Sequence, residues 1–199
     1  MPGEAARIVA IEHVSIDGVY QAPARADEDR RNGFAHGGWS TAGDDPKMRD
    51  LIGAYMGKGW SLLVGRTTYE DLYEGWPRRQ PDSPMTQALT GVRKYVVSRN
   101  GEYALPWRNS VLLAGEAADT VARLRQDHDR TLILFGSGVL VRTLMRHGLI
   151  DELVLMIHPI VLGAGFRLFD EAAGFARLTL SGETATDSGV VIATYRTAR

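Results

Sequence analysis

The sequence predicts a three-layer α/β sandwich, in which a mixed and mostly parallel sheet of about eight strands carries helices on both faces. Three observations lead to this fold class. Apolar runs of strand length recur along the chain, and several are continuous, as in strands that are covered on both faces. Helix-like stretches separate most of these runs. The last two runs are separated only by a turn-like segment, which indicates a C-terminal hairpin and hence a mixed sheet.

The predicted strands are short apolar segments. They comprise residues 8–14, 62–64, 95–97, 111–114, 132–135, 153–157 and 190–195, with a weaker and alternating run at 177–180. Residues 183–189, which read ETATDSG, predict the turn of the closing hairpin because they are mostly small or polar and end in glycine.

Helices are predicted between the strands. Residues 48–58, 116–128 and 137–147 carry apolar side chains at the spacing of one helix face, and a further helix begins directly after Gly65. Gly148 follows the third of these segments, as is typical of a helix C-terminus. The alternation of strands and helices extends through most of the chain, so we expect one domain over residues 1–199.

The composition limits the classes of protein to which the chain can belong. Its 199 residues, 44% of them hydrophobic, are enough for one domain with a sizeable core. A formal net charge of −1 gives no indication of a nucleic-acid surface, and the lack of cysteine excludes disulfides. The five histidines show no metal-binding spacing. Neither a signal peptide nor a run of roughly 20 apolar residues occurs, so we expect a cytoplasmic protein that binds neither nucleic acid nor a membrane.

One long segment, residues 23–50, stands apart from this pattern. It holds many charges and several glycines and prolines without clear periodicity. Because a loop of this length within a compact domain is usually functional or disordered, we expect one or the other here.

Three strand ends carry groups that suit an anion. Gly65-Arg66-Thr67-Thr68 offers a guanidinium and the first amides of a helix, and Gly136-Ser137-Gly138 offers amides without side-chain charge. Ser98-Arg99 again places a hydroxyl beside a guanidinium. Each motif also has a purely structural explanation: Thr67 can cap a helix while Arg66 is solvated, glycine can serve turn geometry alone, and Ser98 can end an ordinary strand.

The combination of the three strand ends favours a ligand site. Open α/β sheets bind ligands at the carboxyl ends of their strands. Two arginine-containing corners and one uncharged cradle suit a ligand with an isolated phosphate monoester and a pyrophosphate, and NADPH is such a ligand. The pattern alone also fits other phosphorylated ligands.

Five segments carry a resemblance to a known family. They are HVSIDGVYQ (13–21), LLVGRTTYEDL (62–72), KYVVSRN (94–100), LILFGSGVLVRTLMRHGLIDEL (132–153) and IHPIVLGAGFRLF (157–169). In this order and at these intervals, the chain resembles the dihydrofolate reductase superfamily over nearly its whole length. It is most similar to the reductase domain of bacterial riboflavin biosynthesis enzymes and to the stand-alone relatives of that domain.

The resemblance implies NADPH bound across the strand ends. It places Arg66, Thr67 and Thr68 at the adenosine 2′-phosphate and the neighbouring phosphate, with Ser98 and Arg99 flanking the adenine and the same 2′-phosphate. The expected cofactor contacts are Val14, Gly65, Arg66, Thr67, Thr68, Ser98, Arg99, Gly136, Ser137, Gly138, Val139 and Leu140. One departure is that dihydrofolate reductases have a Gly-Gly pair where this chain has Gly136-Ser137-Gly138. The chain also has neither the length nor the cysteines for the deaminase domain of the bifunctional riboflavin enzymes.

The expected reaction is hydride transfer to a C=N or C=O bond of a small heterocycle that resembles a pterin, a pyrimidine or a flavin precursor. By family position, Asp17 is the candidate catalytic residue, on a loop beside the nicotinamide. Tyr20, Gln21, Trp39 and Asp45 are the candidate substrate contacts. Asp17 can also be a turn residue, Trp39 a packing residue or a lid, and Asp45 a helix cap.

Two further functions and an oligomeric state follow from the same resemblance. The chain can instead have true dihydrofolate reductase activity, or it can be a nucleotide-binding module that has lost turnover. Residues 151–170 form a long apolar strand and turn, which in this family helps to form homodimers, so we expect a homodimer.

Overall fold

The computed structural model describes residues 5–57, 59–170 and 173–197, and it shows one eight-stranded sheet. The strands are β1 (Ile8–Ser15), β2 (Trp60–Gly65), β3 (Lys94–Ser98), β4 (Ser110–Ala114), β5 (Thr131–Phe135), β6 (Glu152–His158), β7 (Leu178–Ala185) and β8 (Val191–Thr197). Their order across the sheet is β4-β3-β2-β5-β1-β6-β8-β7. The first six run parallel, whereas β8 is antiparallel to both β6 and β7. The predicted α/β class, strand number and C-terminal hairpin are therefore confirmed.

In the described part of the chain, five α-helices connect the strands, namely α1 (Pro46–Tyr55), α2 (Arg66–Tyr73), α3 (Pro84–Gly91), α4 (Ala117–Asp127) and α5 (Gly138–Arg146). The prediction missed α3, although Ser83 caps it through a bond from the Thr86 amide and Pro84 begins it, which together are a recognisable start signal. The helix predicted over 48–58 starts two residues earlier and ends at Tyr55, and residue 58 lies outside the described residues. No helix in the described part is long and apolar enough to cross a membrane.

Each face of the sheet packs against its own layer of helices. Alternate residues of β1 divide between the two: Ile8 and Ala10 belong to the core under α4 and α5, whereas Val9 and Ile11 belong to the core under α1, α2 and α3. Burying one such aliphatic side chain contributes about 1.5–3 kcal/mol. The apolar runs are therefore continuous for the reason that the sequence predicted, because helices cover both faces of the central strands.

The segment between β1 and α1 is irregular but packed. Val19, Ala22, Phe34 and Trp39 form a small buried cluster of their own, and the last residues of the predicted 23–50 loop belong to α1. The closing hairpin also differs from the prediction, because β7 continues through Ala185 and the turn occupies residues 186–190. The strand continues because β8 supplies backbone partners as far as Ala185.

Candidate active site

A long cleft runs along the carboxyl ends of β3, β2, β5 and β1. Its volume is about 730 Å³, which is within the range of small-molecule and cofactor sites. Its outer arm is formed by the ends of β2, β3, β4 and β5 and by the starts of α2, α4 and α5, at residues 65–68, 98–99, 115–117 and 136–140. Its inner arm is formed by β1, by the segment after it and by α1, α2 and α3, at residues 11–13, 20–25, 28, 29, 31, 52, 71, 72, 75, 76, 80, 85 and 89.

The β2–α2 corner of the outer arm keeps its first amides uncapped. Gly65 is the N-cap residue of α2, and no side chain caps the helix. The expected capping role of Thr67 is therefore not observed, because Arg66 and Thr67 already lie within the first turn. Backbone N–H groups at the start of a helix favour an anion, so this corner has the property that the sequence predicted.

The β5–α5 corner is a tight turn in which two consecutive residues have left-handed backbone angles. Gly136 has φ 62° and Ser137 has φ 67°, and α5 starts at Gly138. A Cβ atom on Gly138 would lie 2.5–2.7 Å from ring atoms of Tyr20, so only glycine lets that ring approach. Ser137 does not cap α5. Its Oγ instead accepts a hydrogen bond from the Gly65 amide at 3.0 Å, which ties the two corners together.

Replacing Ser137 by alanine is expected to lower the free energy of unfolding by about 1–2 kcal/mol, because the Gly65 amide loses its acceptor. Urea unfolding measures this change. Ser137→Gly is the control: it also lacks the hydroxyl, but it suits the left-handed backbone and is expected to lose less. Unchanged stability of Ser137→Ala would show that the bond between the corners has no energetic weight.

Both arginines of the outer arm are paired with carboxylates. Arg66 lies 3.1 Å from Glu70, and Arg99, which is 83% exposed in its side chain, lies 3.0 Å from Glu116. Exposed pairs of this kind contribute only about 0–1 kcal/mol, so a phosphate can replace the carboxylate as partner. The Ser98 hydroxyl accepts a bond from the Asn100 amide at 3.0 Å.

Glu12 and Glu28 are two of the inner-arm acids that the sequence did not single out. Glu12 is 2% exposed, and burial raises the pKa of its carboxyl to about 8 against an opposing effect of Arg142. Glu28 accepts bonds from the Ala24 and Arg25 amides, and burial together with the Asp71 carboxylate raises its pKa to about 7. The signal for Glu12 was a charged residue inside a predicted central strand; no local signal marked Glu28.

His13, which follows Glu12 on β1, forms a pair with His158 of β6. His13 Nδ1 and His158 Nε2 are 2.9 Å apart, and Trp39 meets the His158 ring edge-on. Burial lowers the pKa of each imidazole to about 4, and for His13 the neighbouring His158 adds to the shift. Both rings are therefore neutral at physiological pH. The described residues contain no group of three or more potential metal ligands, so a metal site has no support there.

Charge pairs fasten the segment after β1 to α2 and to the turn that follows it. Arg25 contacts Asp71, and Arg79 donates to Asp27 at 2.7 Å. Gln21 holds the same segment from the other side, since its Oε1 accepts from the Phe166 amide at 3.0 Å. The segment predicted as functional or disordered is therefore an ordered wall of the inner arm.

The structure does not bring every predicted site residue to the cleft. Among the described residues, the lining includes Tyr20, Gln21 and the outer-arm residues, but not Val14, Asp17, Trp39 or Asp45. Val14 is buried under α5, and the Trp39 indole donates to the Gln21 carbonyl at 2.7 Å within the packed cluster. Trp39 thus takes the packing role that was its alternative.

Asp17 and Asp45 hold loops in place. Asp17 accepts bonds from the Ser15 hydroxyl and from the Leu162 and Gly163 amides, and these bonds lower its pKa to about 2. An acid that is ionised at neutral pH is a poor proton donor, so the expected catalytic role of Asp17 gains no support. Asp45 caps α1 through the Lys47 amide and also binds the amide of Asp187 in the β7–β8 turn.

Comparison with known proteins places this geometry in a family context. A family model described as the RibD C-terminal domain matches residues 7–192. The uncharacterized protein YyaP of Bacillus subtilis (strain 168) is 27% identical over 138 residues, which cover 68% of this chain and 72% of YyaP.

Two solved structures share the fold. A putative riboflavin biosynthesis protein from Shewanella sp. PV-4 is 20% identical with a TM-score of 0.69, and the match covers 97% of this chain and 99% of that one. Dihydrofolate reductase from Enterococcus faecalis, solved in complex with NADP(H) and RAB-propyl, is 14% identical with a TM-score of 0.61 over 97% of both chains.

Proposed function

The chain belongs to the RibD C-terminal domain family, and from this premise we propose that it is an oxidoreductase that uses NADPH to reduce a C=N or C=O bond of a small heterocycle. The observation that carries the proposal is the continuity of the cleft. Three strand ends with phosphate-binding groups open into an inner arm that contains buried acids. A cofactor and a substrate can therefore meet inside one site.

The outer arm fits a dinucleotide with a phosphate on its ribose. Arg66 and Arg99 would hold the phosphate monoester, since a guanidinium binds phosphate through charge-assisted hydrogen bonds. The uncapped amides of α2 and α5 would hold the pyrophosphate. Gly138 leaves room for the Tyr20 ring, which lies against the start of α5. The Enterococcus faecalis reductase, which shares the fold, was solved with NADP(H).

The inner arm fits a small ring compound that carries polar groups on one side. Its wall is formed by apolar side chains of α1, α2, α3 and the turn after α2, namely Ile52, Leu72, Trp76, Met85 and Leu89. Arg25, Glu28 and Asp71 supply polar groups on one side. Bound NADPH would supply a hydride, whereas the protein orients the substrate ring and keeps water away from it.

True dihydrofolate reductase activity has less support. Asp45 stands roughly where folate reductases place their pterin-binding acid. However, its carboxylate already accepts hydrogen bonds from the Lys47 amide, as the cap of α1, and from the Asp187 amide in the β7–β8 turn. We therefore favour a pyrimidine-like or pterin-like substrate that is recognised by the inner-arm acids instead.

Titration with NADPH and with NADH, followed by nicotinamide fluorescence, tests the cofactor. Micromolar binding of NADPH and much weaker binding of NADH are expected. NADPH oxidation is then followed with dihydrofolate, pterins and aminopyrimidines. If the protein binds NADPH but oxidises it with none of these compounds, the result would favour a nucleotide-binding module. If the protein does not bind NADPH, the result would contradict the proposed function.

We also propose that the protein forms a homodimer. β6 lies between β1 and β8 in the sheet, so β6 itself cannot be the surface on which a second copy pairs. The exposed apolar residues near β6 lie instead in the segment that follows β6 and on the edge strand β7. Val161 is 65% and Phe175 is 91% exposed. Large exposed apolar groups of this kind are typical of interaction surfaces. Sedimentation of the purified protein is expected to show a dimer that Phe175→Ser weakens; a monomeric wild-type protein would contradict the proposal.

A further inference from the structure

Glu12 occupies a special position in the sheet. The last pair between β1 and β5 joins Ile11 to Phe135, whereas pairing of β1 with β6 continues to Ser15. Glu12 is therefore the first residue of β1 beyond the end of β5, where the sheet opens into the cleft, and it forms part of the cleft wall. This is the crevice at which α/β sheets bind the reacting part of a ligand.

One oxygen of the Glu12 carboxyl lacks the partner that would stabilise an ionised state. This atom, Oε1, is buried without a hydrogen-bond partner among the described residues. An unpaired carboxylate is very unfavourable away from water, so such a group keeps its proton instead. The upward pKa shift of Glu12, to about 8, has the same cause.

The groups that face Glu12 do not neutralise it. Arg142 on α5 is the charged residue that acts on it, but its guanidinium donates to the Arg167 carbonyl at 2.8 Å and lies 3.7 Å from Asp170. Tyr20, from the segment after β1, also faces it, and burial raises the pKa of that phenol as well. The opposite residue on β6, Leu155, is apolar. The site thus holds a neutral acid beside a neutral phenol.

We propose that Glu12 is the acid that gives its proton to the substrate when the neighbouring carbon is reduced, a role that rests on the proposed reductase function. Bound NADPH would supply a hydride, with its two electrons, to the substrate carbon and would be left as NADP+, while the π pair of the C=N or C=O bond moves onto the heteroatom. The O–H bond of Glu12 breaks and the heteroatom takes the proton. Glu12 is left as a carboxylate and regains a proton from water.

The protonation of Glu12 can be measured without a substrate. Infrared difference spectra of the protein between about pH 6 and about pH 10 are expected to show loss of protonated carboxyl absorption in two steps, one near 7 from Glu28 and one near 8 from Glu12. Glu12→Gln is expected to lack the step near 8 and to keep the step near 7, whereas Glu28→Gln is expected to show the reverse. A wild-type protein without the step near 8, or a Glu12→Gln protein that retains it, would overturn the proposal.

The proton transfer is tested with the compound of the substrate panel that oxidises NADPH fastest. Glu12→Gln is expected to lower kcat by about 100- to 10,000-fold and to change the NADPH dissociation constant by less than about threefold. In the wild-type protein kcat should fall as pH rises through 8, and Glu12→Asp should restore part of it. A merely structural Glu12 would not produce this pH profile.

The outcomes separate the two proposals. A protein that does not bind NADPH contradicts the proposed function. The role of Glu12 is overturned if Glu12→Gln keeps its turnover with an unchanged pH profile. It is also overturned if turnover is lost in Tyr20→Phe and not in Glu12→Gln. Either result leaves the reductase function standing. NADPH binding without turnover of any panel compound counts against both.

Discussion

Replacing Arg66 by alanine is expected to weaken NADPH binding by about tenfold to a hundredfold while NADH binding stays nearly unchanged. A charge-assisted hydrogen bond to phosphate contributes about 1.5–3 kcal/mol, and NADH lacks the 2′-phosphate that Arg66 would contact. Arg66 lies in the cleft wall at the first position of α2, and its present partner, Glu70, is an exposed group that holds it weakly. Nicotinamide fluorescence titration of the two proteins with both cofactors provides the measurement.

Arg78→Ala is the matched control for this variant. Arg78 also pairs with a glutamate at a four-residue interval and lies over a tyrosine ring, as Arg66 does, but it is not among the residues that line the cleft. It is expected to leave both affinities unchanged. An equal loss of NADPH and NADH affinity in Arg66→Ala would show that Arg66 contacts something other than the 2′-phosphate.

Replacing Glu12 by glutamine is expected to stabilise the protein at alkaline pH. The folded pKa of Glu12, about 8, lies above its ordinary value of 4.5, so the folded state binds the proton more tightly than the unfolded state does. The wild-type protein therefore loses stability as pH rises from about 4.5 to about 8, and above 8 the deficit is complete. Glutamine resembles the neutral acid and does not ionise, so the variant avoids this loss. At about 1.4 kcal/mol per pKa unit, the loss in the free energy of unfolding amounts to about 3–5 kcal/mol.

Urea unfolding at pH 5, 7 and 9 measures the effect as a difference between the two proteins. The difference is expected to be small at pH 5 and largest at pH 9. His13 and His158, whose pKa values are lowered, also change stability between about pH 4 and 6.5, but they do so equally in both proteins and cancel. Glu102→Gln, at an exposed position, is the control for the substitution itself. A difference that is constant with pH would mean that Glu12 is ionised in the folded protein.

Much of the fold and of the outer arm could be predicted because the responsible features are local. Continuous apolar runs marked the doubly covered strands, and glycine, arginine and hydroxyl residues directly after them marked the strand ends that line the cleft. α3 was missed although its Ser83-Pro84 start is also local, since no strong periodicity follows it.

The inner arm could not be predicted in the same way. Trp39 and Asp45 were reasonable substrate contacts by position. However, the Trp39 indole donates its hydrogen bond to the Gln21 carbonyl, and the Asp45 carboxylate accepts bonds from the Lys47 and Asp187 amides. Asp17 was the candidate acid, but its partners Leu162 and Gly163 are 145 and 146 positions away in the chain. The group that is neutral and faces the cleft is instead Glu12, which the sequence showed only as a polar interruption of β1.

The sequence by itself determined the α/β class, the strand ends and the residue types that suit a phosphorylated cofactor, because hydrophobic periodicity and turn chemistry act between near neighbours. Only the tertiary structure decided which acid keeps its proton, which carboxylates hold loops, and how Ser137 joins two turns through the Gly65 amide. The physical reason is that a pKa depends on burial and on charges and hydrogen bonds from every packed element. These are set by residues that are far apart in the chain.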